Sequence, residues 1–163
     1  MSSINLEILL AQKSKELKRY VERDAPRIVA KLAKDHARES FANQGFTDIT
    51  LEPWKEVQRR SPDKAKYTKT GKVRKTQPAS YSRPILVGTT RELRNSIRSR
   101  VLDKGHVQIG SDKPYAKAHN YGTNNAGRNR SVKLPKRQFI GASQQLRARF
   151  VAKFSKDIDA LLK

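Results

Sequence analysis

The sequence predicts an α+β fold: a small antiparallel sheet packed against a long N-terminal helix and a C-terminal helix, with a long basic flexible loop. Three observations lead there. Apolar residues recur at three-and-four spacing near both ends of the chain, they alternate around a short glycine-containing turn near its middle, and residues 58–84 contain almost no aliphatics. A chain of 163 residues fits a single domain, 1–163, with enough length to bury one core.

Residues 4–23 read as a helix, with Leu6, Leu9, Leu10, Leu17, Tyr20 and Val21 near one face. Asp24 is placed to cap a second helix with Pro26 in its first turn, and Ile28, Val29, Leu32, Ala33, Ala37 and Phe41 continue the stripe. The two pieces can also join as one kinked helix that stops near Asn43-Gln44-Gly45. Ile85-Leu86-Val87 reads as a short strand, and Thr89 or Thr90 as the cap of a helical turn through Leu93. Ser96–Leu102 and His106–Gly110 alternate on either side of Asp103-Lys104-Gly105, which predicts a hairpin. Pro114–Asn120 reads as a helical turn entered through Asp112. Ser143 caps the closing helix, whose stripe is Leu146, Phe150, Phe154, Ile158 and Leu161 or Leu162.

The net charge is +21, and residues 53–100 and 113–137 carry eighteen of the excess positive charges. Within them, the loops 58–84 and 123–136 bury too little apolar surface to offset their ordering entropy and are expected to be mobile. Arg59, Arg60, Lys64, Lys66, Lys69, Lys72, Arg74 and Lys75 in the first, and Arg128, Arg130 and Lys133 in the second, are candidates for contact with a polyanion or an acidic protein face. A solvated basic loop is the plain alternative for a charge run of this kind.

Chemistry that makes or breaks bonds finds little support. The absence of cysteine excludes disulfides, zinc-thiolate and iron–sulfur sites and a cysteine nucleophile. The three histidines lack a ligand spacing, no carboxylate pair suits acid–base work, and Gly71-Lys72 lacks the rest of a phosphate loop. His119 reads as a hydrogen-bonded turn residue before it reads as an acid or base. No enzyme activity, metal or cofactor is expected. The longest apolar run, Ile8–Ala11, spans no membrane, and no signal peptide is read.

The residues outside the periodic stripes form an ordered series: Phe41-Ala42-Asn43-Gln44-Gly45-Phe46, Pro53-Trp54, Leu93-Arg94-Asn95-Ser96-Ile97, Val107-Gln108-Ile109-Gly110-Ser111, Pro114-Tyr115-Ala116, His119-Asn120-Tyr121-Gly122 and Leu134-Pro135-Lys136-Arg137-Gln138-Phe139-Ile140-Gly141. The series resembles the Mu-like phage virion morphogenesis proteins, which overlap with tail-completion and head–tail joining proteins, over roughly residues 28–142. One departure stands out. The Thr-Gly that precedes the leucine in that family is Thr90-Arg91-Glu92 here, and an arginine suits a left-handed turn poorly, so a different local backbone is expected.

The resemblance implies a structural subunit of the particle neck. It would form a homo-oligomeric ring in the virion while being monomeric when free. Its neighbours would be other connector or tail proteins, with no membrane; the eighteen excess charges in two segments add the separate hypothesis of non-specific DNA contact. It would be made in a bacterial cytoplasm. On this basis Phe41, Gly45, Trp54, Leu93, Ser96, Ile97, Gly110, Tyr115, His119, Tyr121, Gly122, Pro135, Arg137, Phe139 and Gly141 become family-motif or interface candidates, with core packing the simpler role for Trp54 and Phe139. Arg137 would pair across an interface or stand exposed. A non-sequence-specific nucleic-acid-binding protein is the main alternative, and a nuclease built on His119 a weaker one.

Overall fold

The computed structural model describes residues 5–62, 66–103 and 105–163. The chain opens with one continuous helical rod: α1 (Leu6–Arg19), a π-helical turn (Tyr20–Asp24) and α2 (Ala25–Asn43). Asn5 caps α1 by accepting from the Glu7 and Ile8 amides. No second cap is needed, because Asp24 keeps helical angles and makes no side-chain cap bond. The reason lies two residues on. Pro26 has no N–H to give and its ring crowds the preceding turn, and a widened turn, with the Ala25 amide reaching back to the Tyr20 carbonyl, absorbs both defects.

The rod stops at Gln44, which takes the left-handed conformation itself (φ 54°). Gly45 has a different duty. It begins β1 (Gly45–Thr47), which pairs with β2 (Leu51–Pro53), and a Cβ there would lie 2.5 Å from the Glu52 carbonyl oxygen.

After a single turn of 3-10 helix (Gln58–Arg60) and a Tyr67–Val73 bridge come two one-turn helices, α3 (Ala79–Ser82) and α4 (Glu92–Asn95). Ile85-Leu86-Val87 is a run of turns, and no strand forms there. Ile85 is nevertheless buried, which accounts for the apolar signal that the sequence carries at this point. The expected hairpin is present as β3 (Ile97–Val101) and β4 (Val107–Ser111), in register from Ile97–Ser111 to Val101–Val107. The helical turn after it starts later than expected, as α5 (Ala116–Tyr121), with Tyr115 in the capping position. Residues 123–136 are largely a ribbon, β5 (Thr123–Ala126) with β6 (Val132–Leu134), joined through Gly127 and Arg130 at positive φ. Among the described residues the sheet content is thus three separate two-stranded ribbons.

Ser143 caps α6 (Gln144–Leu162) by accepting from the Leu146 amide. α6 runs antiparallel to the rod: Arg149 meets Glu39 at 2.7 Å, Tyr20 donates to Asp157 at 2.9 Å, and Lys13 donates to the Leu161 carbonyl at 2.6 Å. Tyr20 and Phe154 pack edge to face between them. Burial there, aided by Asp157, pushes the Tyr20 phenol up to about 12.

The core sits where α2 meets the hairpins. Ala37, Phe41, Trp54, Ile85, Leu93, Ile97, Ala116 and Phe139 form it, with Phe41 in contact with both Trp54 and Phe139 at ring separations of 5.4 and 5.1 Å. α1 buries nothing fully: Leu6 and Leu10 are each more than half exposed, contrary to the core role their spacing suggests. The antiparallel geometry explains this. α6 ends at Leu162, level with Lys13, so the first two turns of α1 extend past the end of their partner helix.

Candidate functional site

Three distant chain segments, around 53–60, 115–122 and 134–141, are stitched together by polar side chains reaching main-chain carbonyls and amides. Trp54 donates its indole N–H to the Gln138 carbonyl at 2.6 Å. Arg137 reaches back the other way, from Nε to the Lys55 carbonyl at 3.0 Å and from Nη2 to the Glu56 carbonyl at 3.3 Å. Asn120 holds the third segment: its Oδ1 accepts from the Phe139 and Ile140 amides, both at 2.9 Å, and its Nδ2 donates to the Ile140 carbonyl. Each bond satisfies a backbone group in chain that belongs to no helix or strand, where an unpaired group would be costly.

The motif residues therefore divide into two sets. Phe41, Trp54, Leu93, Ile97 and Phe139 are core residues. Ser96 is buried and donates to the Leu93 carbonyl at 2.7 Å, while its Oγ sits 2.6 Å from Ser111 Oγ. Arg137 is only 6% exposed and bound within its own chain through Nε and Nη2, so it does not stand exposed. Gly122 combines φ 76° with close backbone, since a Cβ would lie 2.8 Å from the Lys136 amide nitrogen. Gly45 is fixed by β2. Gly110 has open space where a Cβ would go, and a Cβ at Gly141 would meet only the flexible Gln138 side chain. Pro135 is half-buried. Tyr115 and Tyr121 are exposed, and they are the motif side chains most available to a partner. Asn120 and Gln44 belong to the motif series but are not among its candidate residues. The sequence signal for both was a polar residue inside an otherwise apolar or glycine-marked motif.

Arg91 corrects another expectation. It adopts φ 55°, ψ 24° and heads α4, so the left-handed turn is kept although no glycine is present. Neither Thr89 nor Thr90 caps that helix.

The cationic residues divide as well. Arg59 donates to the Ser80, Arg83 and Pro84 carbonyls, and Arg60 to the Tyr81 and Arg83 carbonyls and to Glu56. These two guanidiniums clasp the base of the 58–84 segment and are held by it, unlike the free polyanion contacts their sequence suggests. Arg74 donates to the Tyr67 carbonyl at 3.0 Å. Lys66, Lys69, Lys72 and Lys75 are exposed, with the Lys66 amine 5.6 Å from the Tyr67 ring centre, and so are Arg128, Arg130 and Lys133 on the β5–β6 ribbon. Lys64 lies outside the described residues.

His119 is half-buried against Tyr115, edge to face at 6.0 Å. Its Nδ1 is buried without a hydrogen-bond partner, so the turn-fixing bond expected of the ring is absent; the His119 carbonyl makes one instead, accepting from the Arg137 amide at 2.8 Å. Burial, and then the Arg137 cation, hold its pKa below the usual histidine value. Burial, and then the Arg60 and Arg83 cations, lower the Arg59 pKa, and burial followed by the Arg59 cation lowers that of Arg137. Among the described residues no cluster of histidine and carboxylate groups could hold a metal ion, and no helix is long and apolar enough to cross a membrane. What the arrangement offers chemically is hydrogen-bond donors and positive charge.

No curated protein matches the chain, and no solved structure does. The family model described as the phage virion morphogenesis family matches residues 22–152, which takes in α2, all three ribbons, the stitched segments and the first half of α6. With that match over most of its length, the chain belongs to the phage virion morphogenesis family and has a role in building the virion.

Proposed function

We propose that the protein is a structural subunit of the head–tail neck, acting in tail completion or head–tail joining as part of a homo-oligomeric ring. The family match carries the reading. The uncovered start of α1 supports it: Leu6, Leu9 and Leu10 are 63%, 41% and 60% exposed, and no described residue of the same chain lies over them. An apolar helix end of this kind gains from burial against a second copy, and a head-to-tail contact of that sort closes into a ring by rotation. The subunit works by fitting against neighbours, with no bond made or broken. It is made in the host cytoplasm and carried in the virion.

The test is complementation of a phage lacking the gene. Wild-type protein restores joined, infectious particles, and the triple variant Leu6→Ser, Leu9→Ser, Leu10→Ser leaves heads and tails apart in electron micrographs. Normal infectious virions from the deletion alone would refute the role.

The exposed amines of Lys66, Lys69, Lys72 and Lys75 favour one companion reading, contact with DNA passing through the neck. Such contact is sequence-independent and weakens steeply with salt. Duplex binding that persists at high salt and selects a sequence would instead favour a dedicated nucleic-acid-binding protein.

A further inference from the structure

Between the arginine clasp and α5 lies an open cavity of about 420 Å³. Arg59, Arg83, Arg137 and His119 line it together with apolar side chains that include Val57 and Leu86. The donors there are incompletely used. Nη1 of Arg59 and Nη1 of Arg137 hold no hydrogen bond to a described residue, while the other nitrogens of both groups are anchored on carbonyls. Neither Nη1 is sealed from solvent, whereas His119 Nδ1 is buried and unpartnered. The Arg83 side chain makes no bond within the described chain. Two carboxylates stand nearby. Glu92, on the lining, is paired with Lys113 at 3.2 Å, and Glu56 is engaged by Arg60. The cavity therefore presents three guanidiniums, and the carboxylates nearest to them are already paired with other cations.

We infer that this cavity is a binding site for a carboxylate carried on an acidic segment of another protein. Guanidinium groups fixed by their own anchors keep a planar fork ready for a carboxylate, so little ordering entropy is lost on binding. Apolar walls beside the cations suit a peptide that brings an aliphatic side chain with its acid. A duplex is too wide to enter, and the lysines that would suit its backbone lie elsewhere, on residues 66–75. A second copy of the chain is a poor source of the acid, because each copy carries +21. That the occupant is a virion component rests on the assembly role proposed above; the chemistry of the cavity does not.

The full chain, labelled with nitrogen-15, is titrated with a capped tetrapeptide of alternating glutamate and leucine. Parallel titrations use the glutamine counterpart, inorganic phosphate and a short DNA duplex. The glutamate peptide is expected to shift the side-chain signals of Arg59, Arg83 and Arg137 and the ring of His119, and the glutamine peptide to shift none of them. Arg83→Gln removes a group that holds nothing else, so the fold survives and affinity falls about tenfold, as loss of one charged hydrogen bond implies. His119→Phe keeps the ring contact with Tyr115 and is expected to weaken binding as well.

Equal response to the glutamine peptide, equal response to phosphate, tighter occupation of these signals by the duplex, or unchanged affinity in Arg83→Gln would each overturn the inference. Failure of the peptide to bind leaves the assembly role standing, since complementation of the deletion reads that separately.

Discussion

Replacing Arg91 by glycine should stabilise the protein, and replacing Gln44 by glycine should destabilise it, although the two residues share nearly the same backbone conformation. Both sit in the left-handed region, at φ 55° and φ 54°. For a residue with a Cβ that region costs ~1–2 kcal/mol. Glycine relieves this, but it returns ~0.5–1 kcal/mol through the freedom it gains in the unfolded chain. The balance for the backbone alone is a gain of roughly 0.5–1 kcal/mol.

Side chains decide the rest. Arg91 is exposed and heads α4 without a side-chain cap bond, and glycine is tolerated at a helix N-cap. Nothing else is lost, so Arg91→Gly should raise Tm by about 1–4 °C for a chain of this size. Gln44 differs. Its Nε2 donates to the Phe41 carbonyl at 2.6 Å, and its Oε1 accepts from the amide of buried Ile85. Leaving that amide unpaired costs ~1–3 kcal/mol, so Gln44→Gly should lose roughly 1–2 kcal/mol net. Urea unfolding followed by circular dichroism measures both. Arg91→Ala is the control, because alanine keeps the strain while removing the charge. If Arg91→Ala stabilises as much as Arg91→Gly, charge repulsion is the cause and the strain argument fails.

Gly45→Ala should cost about 1–3 kcal/mol, since the new methyl meets backbone atoms of Glu52 and Pro53 that cannot turn aside; thermal unfolding reads it. Trp54→Phe keeps most of the ring packing but strands the Gln138 carbonyl, for a loss of roughly 1–2 kcal/mol in denaturant unfolding. His36 is 3% exposed against Phe46, and neither ring nitrogen makes a well-formed hydrogen bond. Burial, and then the Arg149 cation, lower its pKa, opposed more weakly by Glu39 and the Thr47 carbonyl. The unfolded chain therefore binds this proton first as pH falls. Stability should be complete above the ordinary histidine value near 6.5 and decline as pH drops below it, and His36→Phe should flatten that decline in unfolding curves taken across pH.

The long helices were legible because their signals are local. Three-and-four spacing marks α2 and α6, and Ser143 caps α6 as its side chain and position suggest. The β3–β4 hairpin was legible for the same reason, as alternation around a turn. What escaped was decided at a distance. Ile85 is apolar because Phe41, Leu93 and their neighbours surround it, and that demand is met by a turn as well as by a strand. Leu6 and Leu10 keep helical spacing, but whether a stripe is covered depends on where the partner helix ends. Arg91 shows a further limit. A residue unsuited to a left-handed turn will still occupy it when the flanking structure, here buried Leu93 and the start of β3, fixes the chain on one side.

Charge arithmetic misled most where it looked plainest. A run of arginines and lysines reads as one feature in the sequence, yet three of the four arginines in 58–84 separate from its exposed lysines in the fold. Arg59, Arg60, Arg74 and Arg137 turn their guanidiniums onto main-chain carbonyls, and between them they hold the ends of segments that have almost no apolar residues to hold them otherwise. A planar group with five donors can bridge several carbonyls at once, which an ammonium on a flexible stem does poorly. The lysines at 66, 69, 72 and 75 remain in solvent. Replacing the arginines by lysine would therefore conserve every charge and lose the clasp, whereas replacing the four lysines by glutamine would lower the charge and leave the described hydrogen bonds in place. If the first change proved harmless to thermal stability and the second ruinous, the division of labour drawn between the two residue types would be wrong.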